Sequence, residues 1–527
     1  MGWRCHREAA IRSVDLCSVK PEEHDVVPNI QPEQPDQSRP ERRPTRRRVL
    51  STAAATTLIV GFDSVSHSWV PAAEASGARF DRLPRLDGTL HIDPTTRAAS
   101  STDNGNIHQV TPRAVLRPGS TSDVAKVIRY CRPRGIKVAA RGQAHTTHGQ
   151  GLTPGLVIEN RSRRTIHSIS PDSAVVDSGV LWTELINASW EHGLTPPTIT
   201  GYTNLSIGGV LSVGGVPGTN RLGGLVDNVT ALEVVTGDGR VHQCSMSHKR
   251  ELFEVALAGL GQCGVITQAT VRLIQAPQMA RWHQVPYTDN ATFFQDMRTL
   301  LERGELDEVY CMWIPSGTTF VYMLQAVKYY DVDAPPDSLH LLRGLSVPAE
   351  VAATDGLDLP YRDFALRVNA VVDNYPDYEH LVKPWFDVWL PESTVEAYID
   401  DVIPTLTPLD VGASGFLLLF PQRRSALTRP FFVLPESDDW IYLFDILTSS
   451  AARIPEPDFT ERMMDRNHHL FDQAREAGGT RYPIGSLDFR RSDWRRHYGA
   501  HWRQLAARKR RYDPDNILTP GPGIFPG

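Results

Sequence analysis

From about residue 105 the chain alternates short β-branched runs with stretches of helical periodicity. Residues 113–118 read as a strand entering a turn. Ser120, Thr121, Ser122 and Asp123 then offer side-chain oxygens to cap a helix over 124–131. Arg134-Gly135 ends it, and 136–140 returns as a buried strand. Residues 175–179 are a further strand into a turn. Over 181–192, Leu181, Leu185 and Trp190 mark one face of an amphipathic helix, and Gly193 caps its end. Residues 200–224 follow neither period. Glycines recur there between bulky apolar residues, which predicts backbone packed against something flat or extended. Strands over 229–236 and 240–243 flank the turn Gly237-Asp238-Gly239. A helix over 252–260 leads through Gly261-Gln262-Cys263-Gly264 to a strand over 265–273.

Pro277 marks a boundary, and the pattern changes after it. Longer apolar strands such as 415–420 and 440–444 mix with helices such as 459–477. This predicts a second part, α+β, with a sheet carrying helices on one face. Residues 332–360 are rich in Pro, Asp and Gly and read as a surface excursion.

Two parts suit the length, since 527 residues exceed what one core serves. With 41% hydrophobic and 22% charged residues the composition is that of an ordinary globular protein. A net charge of -6 and scattered basic residues argue against a nucleic-acid partner. The exception is N-terminal. Residues 1–44 are polar and predicted to be disordered. They precede Thr45-Arg46-Arg47-Arg48-Val49-Leu50, the apolar run 51–62 and Ala73-Glu74-Ala75. Residues 1–75 therefore read as a leader with a twin-arginine-type export signal, so the mature protein is expected outside the cytoplasm. A basic tail beside a buried helix is the alternative. The apolar run is too short for a stable membrane span. Its distance from Met1 points to a start codon near Arg42. Cys131, Cys244, Cys263 and Cys311 have no metal-ligand spacing, which leaves one disulfide or buried thiols open.

The chemistry concentrates where the strand over 136–140 stops, at Arg141-Gly142-Gln143-Ala144-His145-Thr146 and on to Gly151. Small residues let a ligand approach backbone N–H groups, which can hold a diphosphate. His145 stands at the tip. His148 follows without a third ligand, a poor zinc site, so no metal centre is expected.

This loop resembles the vanillyl-alcohol-oxidase-type (PCMH-type) FAD oxidoreductases, as do Ser206-Ile207-Gly208-Gly209, the run 259–267 and the C-terminal run 512–521. Lys383-Pro384-Trp385-Phe386-Asp387-Val388-Trp389-Leu390-Pro391, Leu418-Leu419-Phe420-Pro421 and the run 493–499 are similar to substrate-domain signatures of the cytokinin dehydrogenases within that superfamily. The likeness covers about residues 105–527. It implies a PCMH-type FAD domain over 105–278, completed by 506–527, and a substrate domain over 279–505 that caps the flavin.

By that resemblance His145 carries FAD covalently; a histidine that merely bonds phosphate or solvent is the alternative. Ala140, Arg141, Gly142, Gln143, Ala144, Thr146, Gln150 and Gly151 stand at cofactor-contacting positions, with Ala144 in place of the usual second loop glycine. Ser206, Ser212, Val216 and Ile266 match positions that hold the pyrophosphate and adenine end. Ordinary turn chemistry is the alternative for the two serines. Thr519 and Pro522 fall where the C-terminal loop meets the flavin, and Pro522 replaces the family's usual glutamine.

The implied reaction takes a hydride from a C–H beside a secondary amine to flavin N5. The imine then hydrolyses to a free amine and an aldehyde. An aspartate orients or deprotonates the amine in that family. Here Gly201 stands at its position, and Gln325 stands at that of a glutamate lining the pocket entrance. Asp387 is the candidate replacement, a surface or helix-capping carboxylate being the alternative. Tyr202 offers a hydroxyl or a packed ring, and Trp385 a wall over the flavin. The expected substrate is a small amine or alcohol with an apolar or planar group, and oxygen or a quinone-type acceptor reoxidises the flavin. An alcohol or sugar oxidase on the same scaffold, and a flavin-binding protein without catalysis, are the competing readings.

Overall fold

The computed structural model describes residues 83–525 apart from 349–351, 353–355, 413 and 438, with Phe80 and a pair of antiparallel strands, Ile59–Asp63 and Ser68–Pro71. The arginines of the export reading, Ala73-Glu74-Ala75, Cys5 and Cys17 lie outside the described residues. Among the described residues no helix is long and apolar enough to cross a membrane.

Strands β1 (Thr89–His91), β2 (Ala114–Arg117), β3 (Val138–Arg141) and β4 (Leu156–Glu159) form a small sheet in the order β1-β2-β4-β3. The pairings of β4 with β2 and β3 are parallel. Helix α1 (Thr121–Cys131) joins β2 to β3. It starts three residues before the apolar periodicity, because the Ser120 side chain accepts from the Asp123 N–H. A second, antiparallel sheet contains β5 (Ile166–Ser170), β6 (Ser173–Asp177), β7 (Val229–Thr236), β8 (Val241–Ser245) and β9 (Gly264–Arg272), ordered β8-β7-β9-β6-β5. Helix α2 (Trp182–Trp190) follows β6 as its periodicity predicts. The glycine-dense segment holds a helix that the pattern does not announce, α3 (Ile207–Val213). Its two glycines hide it from propensity. Packing explains one of them, since a Cβ on Gly208 would lie 2.6 Å from the Ser178 Cβ. The helix expected over 252–260 is instead α4 (Arg250–Ala256), cut short where Ala258 and Leu260 turn to φ of 56° and 51°.

The second part is built on eight antiparallel strands: β10 (Met279–Tyr287), β11 (Glu308–Ser316), β12 (Thr319–Tyr330), β13 (Leu357–Pro360), β14 (Phe386–Pro391), β15 (Phe416–Arg423), β16 (Trp440–Leu447) and β17 (Thr480–Arg481). Their order is β13-β10-β12-β11-β15-β16-β14-β17. Strand alternation divides the sheet's two faces. Phe386, Val388 and Leu390 join Leu417, Leu419, Tyr442 and Phe444 in a core with helices α5 (Asn290–Arg303), α7 (Glu392–Val402) and α8 (Phe459–Glu476). Trp389, Ile441 and Leu443, on the other face, join the core of the first part. Helix α6 (Tyr361–Asp373) covers the far end of that same face through Phe364, which packs on Ala280 and Val327. Both faces are buried, which is why these strands read as continuous apolar runs.

Residues 332–360 are more than a surface excursion. Leu341 and Leu342 are buried in the α5 core, and 357–360 supplies the edge strand β13. The C-terminal segment returns to the first part after helix α9 (Trp502–Tyr512). Leu518 bridges Val138 in parallel. Val138 N–H donates to the Ile517 carbonyl, and Thr519 N–H to the Val138 carbonyl, both at 2.8 Å. Buried Asp513 fixes the turn by accepting from the Ile517 and Leu518 N–H groups and pairing with Lys509 at 2.7 Å. Cys131, Cys244, Cys263 and Cys311 are buried free thiols.

Candidate functional site

The loop after β3 rests on the start of α3. A Cβ on Gly142 would lie 1.7 Å from the Ser206 Oγ, so only glycine allows this seat. Ala144 adopts φ 51°, the left-handed region where a methyl group costs about 1 kcal/mol. Farther on, the loop is tied down. Thr147 N–H donates to the Ile484 carbonyl, His148 N–H to the Gln150 Oε1 and Gly149 N–H to the Asp103 Oδ2. Between these anchored stretches, the N–H groups of Gln143, Ala144, His145 and Thr146 find no acceptor among the described residues. Four successive unpaired donors behind small side chains fit the phosphate and carbonyl oxygens of a nucleotide cofactor. FAD therefore suits the residues present.

His145 is enclosed from both halves. Its ring lies 5.1 Å from that of Tyr202, nearly parallel, and 5.2 Å from that of Trp385, edge-on. Burial, and then the Lys383 ammonium, push its pKa down to about 3, so the imidazole is neutral with a free nitrogen lone pair. Lys383 is fully buried; its Nζ donates to the Leu381 carbonyl at 2.8 Å and lies 4.7 Å from the Tyr378 ring centre. Burial lowers its own pKa to about 8. The sequence reading gave Lys383 no role.

Several other anticipated residues meet here. Gly521 backs onto this loop: a Cβ there would be 2.2 Å from the Gly149 carbonyl oxygen. Thr519 donates through Oγ1 to the Gly261 carbonyl, and the Pro522 carbonyl accepts from Trp494 Nε1. Arg141 and Gln150 are already committed. Arg141 donates to the Ser100 and Thr102 carbonyls, and Gln150 to those of Pro483, Ile484 and Gly485. Thr146 Oγ1 lies 3.5 Å from Asp103, and an added Cβ on Gly151 would meet only the Arg141 side chain. Ala140 belongs to β3. Ser206 caps α3, and Ser212 Oγ bonds back to the Gly208 carbonyl. Val216 packs on the core, and Ile266 is buried in β9.

Gly201 is exposed, with an unstrained φ. An added Cβ would meet only the Val368 side chain, at 4.0 Å. Beside it, the Tyr202 hydroxyl donates to Asp373 at the end of α6, which also accepts from Asn204. Burial and then Asp373 raise the Tyr202 phenol, so it stays protonated.

Gln325 stands apart from this cluster. It lies on β12, four strand spacings from β14, about 19 Å across the sheet. Its Oε1 accepts from Trp282 and Gln284, and its Nε2 donates to the Met323 carbonyl. Asp387, in contrast, is neither at the surface nor a helix cap. It is 3% exposed within β14, directly opposite Asp445 of β16, which is 6% exposed. One oxygen of each carboxyl, Asp387 Oδ2 and Asp445 Oδ1, has no partner. Burial raises Asp387 to about 7, opposed by a hydrogen bond from Asp445 and by the Arg481 charge. Burial and the neighbouring Asp387 hold Asp445 well above the usual carboxylate range. Asp445 went unnoticed in the sequence, although it is the one charge in the run Trp-Ile-Tyr-Leu-Phe-Asp-Ile-Leu over 440–447.

His148 contacts His108 at 3.3 Å and Asp488 at 2.9 Å, yet no group able to hold a metal ion occurs among the described residues.

Comparison with known proteins adds a family. Residues 112–245 match a model described as FAD binding domain, and 309–525 one described as Cytokinin dehydrogenase 1, FAD and cytokinin binding. The chain is 32% identical over 444 residues to an Uncharacterized oxidoreductase ORF5 in fasciation locus of Rhodococcoides fascians, covering 83% of this chain and 99% of that one. It is 30% identical to Cytokinin dehydrogenase 2 of Arabidopsis thaliana, covering 86% and 96%. The solved 6-hydroxy-D-nicotine oxidase of Arthrobacter nicotinovorans shares the fold, with a TM-score of 0.63 over 82% of this chain and 96% of that one, at 20% identity.

Proposed function

The chain belongs to the FAD-dependent oxidoreductases of the cytokinin-dehydrogenase family, and from that premise we propose that it oxidises a C–H bond next to an amine or alcohol. Bound FAD supplies the hydride acceptor at its N5 position. One observation carries the reading: a neutral His145 in a loop of unpaired N–H donors, enclosed by Tyr202 from the FAD half and Trp385 from the substrate half. The free lone pair of His145 suits a covalent link to the flavin. The loop N–H groups orient and hold the cofactor, and Trp385 shields it from water.

The exchange of aspartate for Gly201 removes a carboxylate but no backbone support. A secondary amine remains the favoured substrate class, with an alcohol as the second reading, because Gly201 leaves space without charge. The N-terminal arginines and apolar run support export to the outside of the cytoplasm. The test is anaerobic mixing of holoenzyme with secondary amines, including cytokinins, and with alcohols and sugars. The expected result is bleaching of the flavin absorbance by an amine. No bleaching by any of them would favour a binding protein. Oxygen and a quinone are then compared as reoxidants. Acid precipitation should leave the yellow colour in the pellet; a colourless pellet would rule out the His145 bond.

A further inference from the structure

We propose that Asp387 and Asp445 act as one proton-sharing carboxyl pair that takes up the proton leaving the substrate nitrogen or oxygen, in place of the carboxylate absent at Gly201. This rests on the oxidation proposed above.

The argument begins with position. Asp387 lies two residues beyond Trp385, whose ring packs on His145. Trp389, two residues farther along the same strand face, packs in the FAD-half core. Alternation therefore turns Asp387 and its register partner Asp445 toward the FAD half as well. The pair is also tied to the flavin loop. Gly485 must lack a side chain, because a Cβ there would lie 2.2 Å from Asp387 Oδ2. The Gly485 carbonyl accepts from Gln150, five residues after His145.

Energetics give the second step. Two facing carboxyls with 3% and 6% exposure cannot both ionise at ordinary pH. They titrate as a unit, losing the first proton near pH 7 and keeping the second far above it. Arg481 and Tyr482 are the charged and titratable groups that face them; Leu418, on the other flank of Asp445, is apolar. Arg481 favours ionisation of Asp387, which is therefore the accepting carboxylate of the singly ionised pair. Above pH 7 the Asp445 hydroxyl supports the charge on Asp387 until Asp387 accepts a proton and becomes neutral.

The balance is simple for an amine. The N–H and C–H bonds break and a C=N bond forms. The hydride and its electron pair pass to the flavin, and the proton becomes the O–H of Asp387. Substrate loses two electrons and the flavin gains them.

Two measurements on the holoenzyme test this. Infrared difference spectra across pH 5 to 9, with carbon-13-labelled aspartate, should show a buried protonated carboxyl that persists at pH 9 and disappears in Asp445→Asn. Its absence from the wild type would overturn the pair whatever the substrate. Single-turnover flavin reduction by a secondary amine should rise with pH through an apparent pKa near 7. Asp387→Asn should slow it about a hundredfold and flatten the profile, the usual range for loss of a general base. Asp445→Asn, which keeps a donor facing Asp387, should retain most of the rate with a displaced limb. A wild-type profile in Asp387→Asn would overturn the proposal. Failure of every amine and alcohol to reduce wild-type flavin would sink the oxidation reading instead, while the infrared titration still decides the pair.

Discussion

The flavin loop and the carboxyl pair both meet Gly485 but are made in opposite ways. The loop over 141–151 is continuous in sequence, uses backbone N–H groups, and depends on the absence of a side chain at Gly142. The pair is assembled from residues 58 positions apart, uses side chains only, and exists because β14 and β16 align in one register. A backbone cradle tolerates varied side chains so long as nothing protrudes. A register-built pair tolerates varied backbone surroundings but fails when one atom changes. The cofactor side of such a molecule can thus stay constant while its reaction side is rebuilt.

The sharpest way to break this contrast is Gly142→Val. Its Cβ would coincide with Ser206 Oγ, moving the loop off α3. The purified protein should be colourless, with flavin occupancy reduced more than tenfold. A fully yellow variant would mean that the loop does not seat the cofactor. Gly201→Asp probes the reaction side with a smaller effect. The site is open and unstrained, so stability should change by less than about 0.5 kcal/mol. Flavin reduction by a secondary amine should rise several-fold at pH 6, where the buried pair is still largely protonated. An unchanged rate would show that the position no longer reaches the substrate.

The smallest effect is thermodynamic. Asp387 is held near 7 in the folded protein against 3.8 when unfolded. The unfolded chain binds fewer protons between those values, so the Asp387 contribution to folding stability falls as pH rises from about 4 to 7 and is level above, while that of Asp445 goes on falling. Asp387→Asn removes this loss. Its melting temperature should exceed that of the wild type by a few degrees at pH 8, and the gap should close toward pH 4. A gap independent of pH would mean that Asp387 is ionised in the folded state throughout.

How much of this could be read beforehand follows the same division. The β3 strand, its stop and the loop were legible because local pattern sets them. Ala144 was read as a replaced glycine, and its φ of 51° lies in the left-handed region that favours glycine. Helix α3 was not, because glycine hides a helix whose packing against Ser178 demands it. Asp387 was noticed from its signature, but its isolation from solvent required the partner strand. Gln325 was legible as a changed charge, though only the sheet reveals that Trp282 and Gln284 consume its amide. Contacts between strands that hydrophobic pattern alone cannot order are where sequence reading stopped.

The bridge between Val138 and Leu518 sets a timetable for biosynthesis. The strand that launches the flavin loop emerges early from the ribosome, yet one edge of it waits for Leu518, far along the chain. Synthesis at 5–20 residues per second separates the two by roughly twenty to seventy-five seconds. During that interval the cradle has an open edge, and tight retention of the cofactor can begin only once Leu518 has been made. Translation that stops before Leu518 would therefore yield a chain with every loop donor present and no lasting colour.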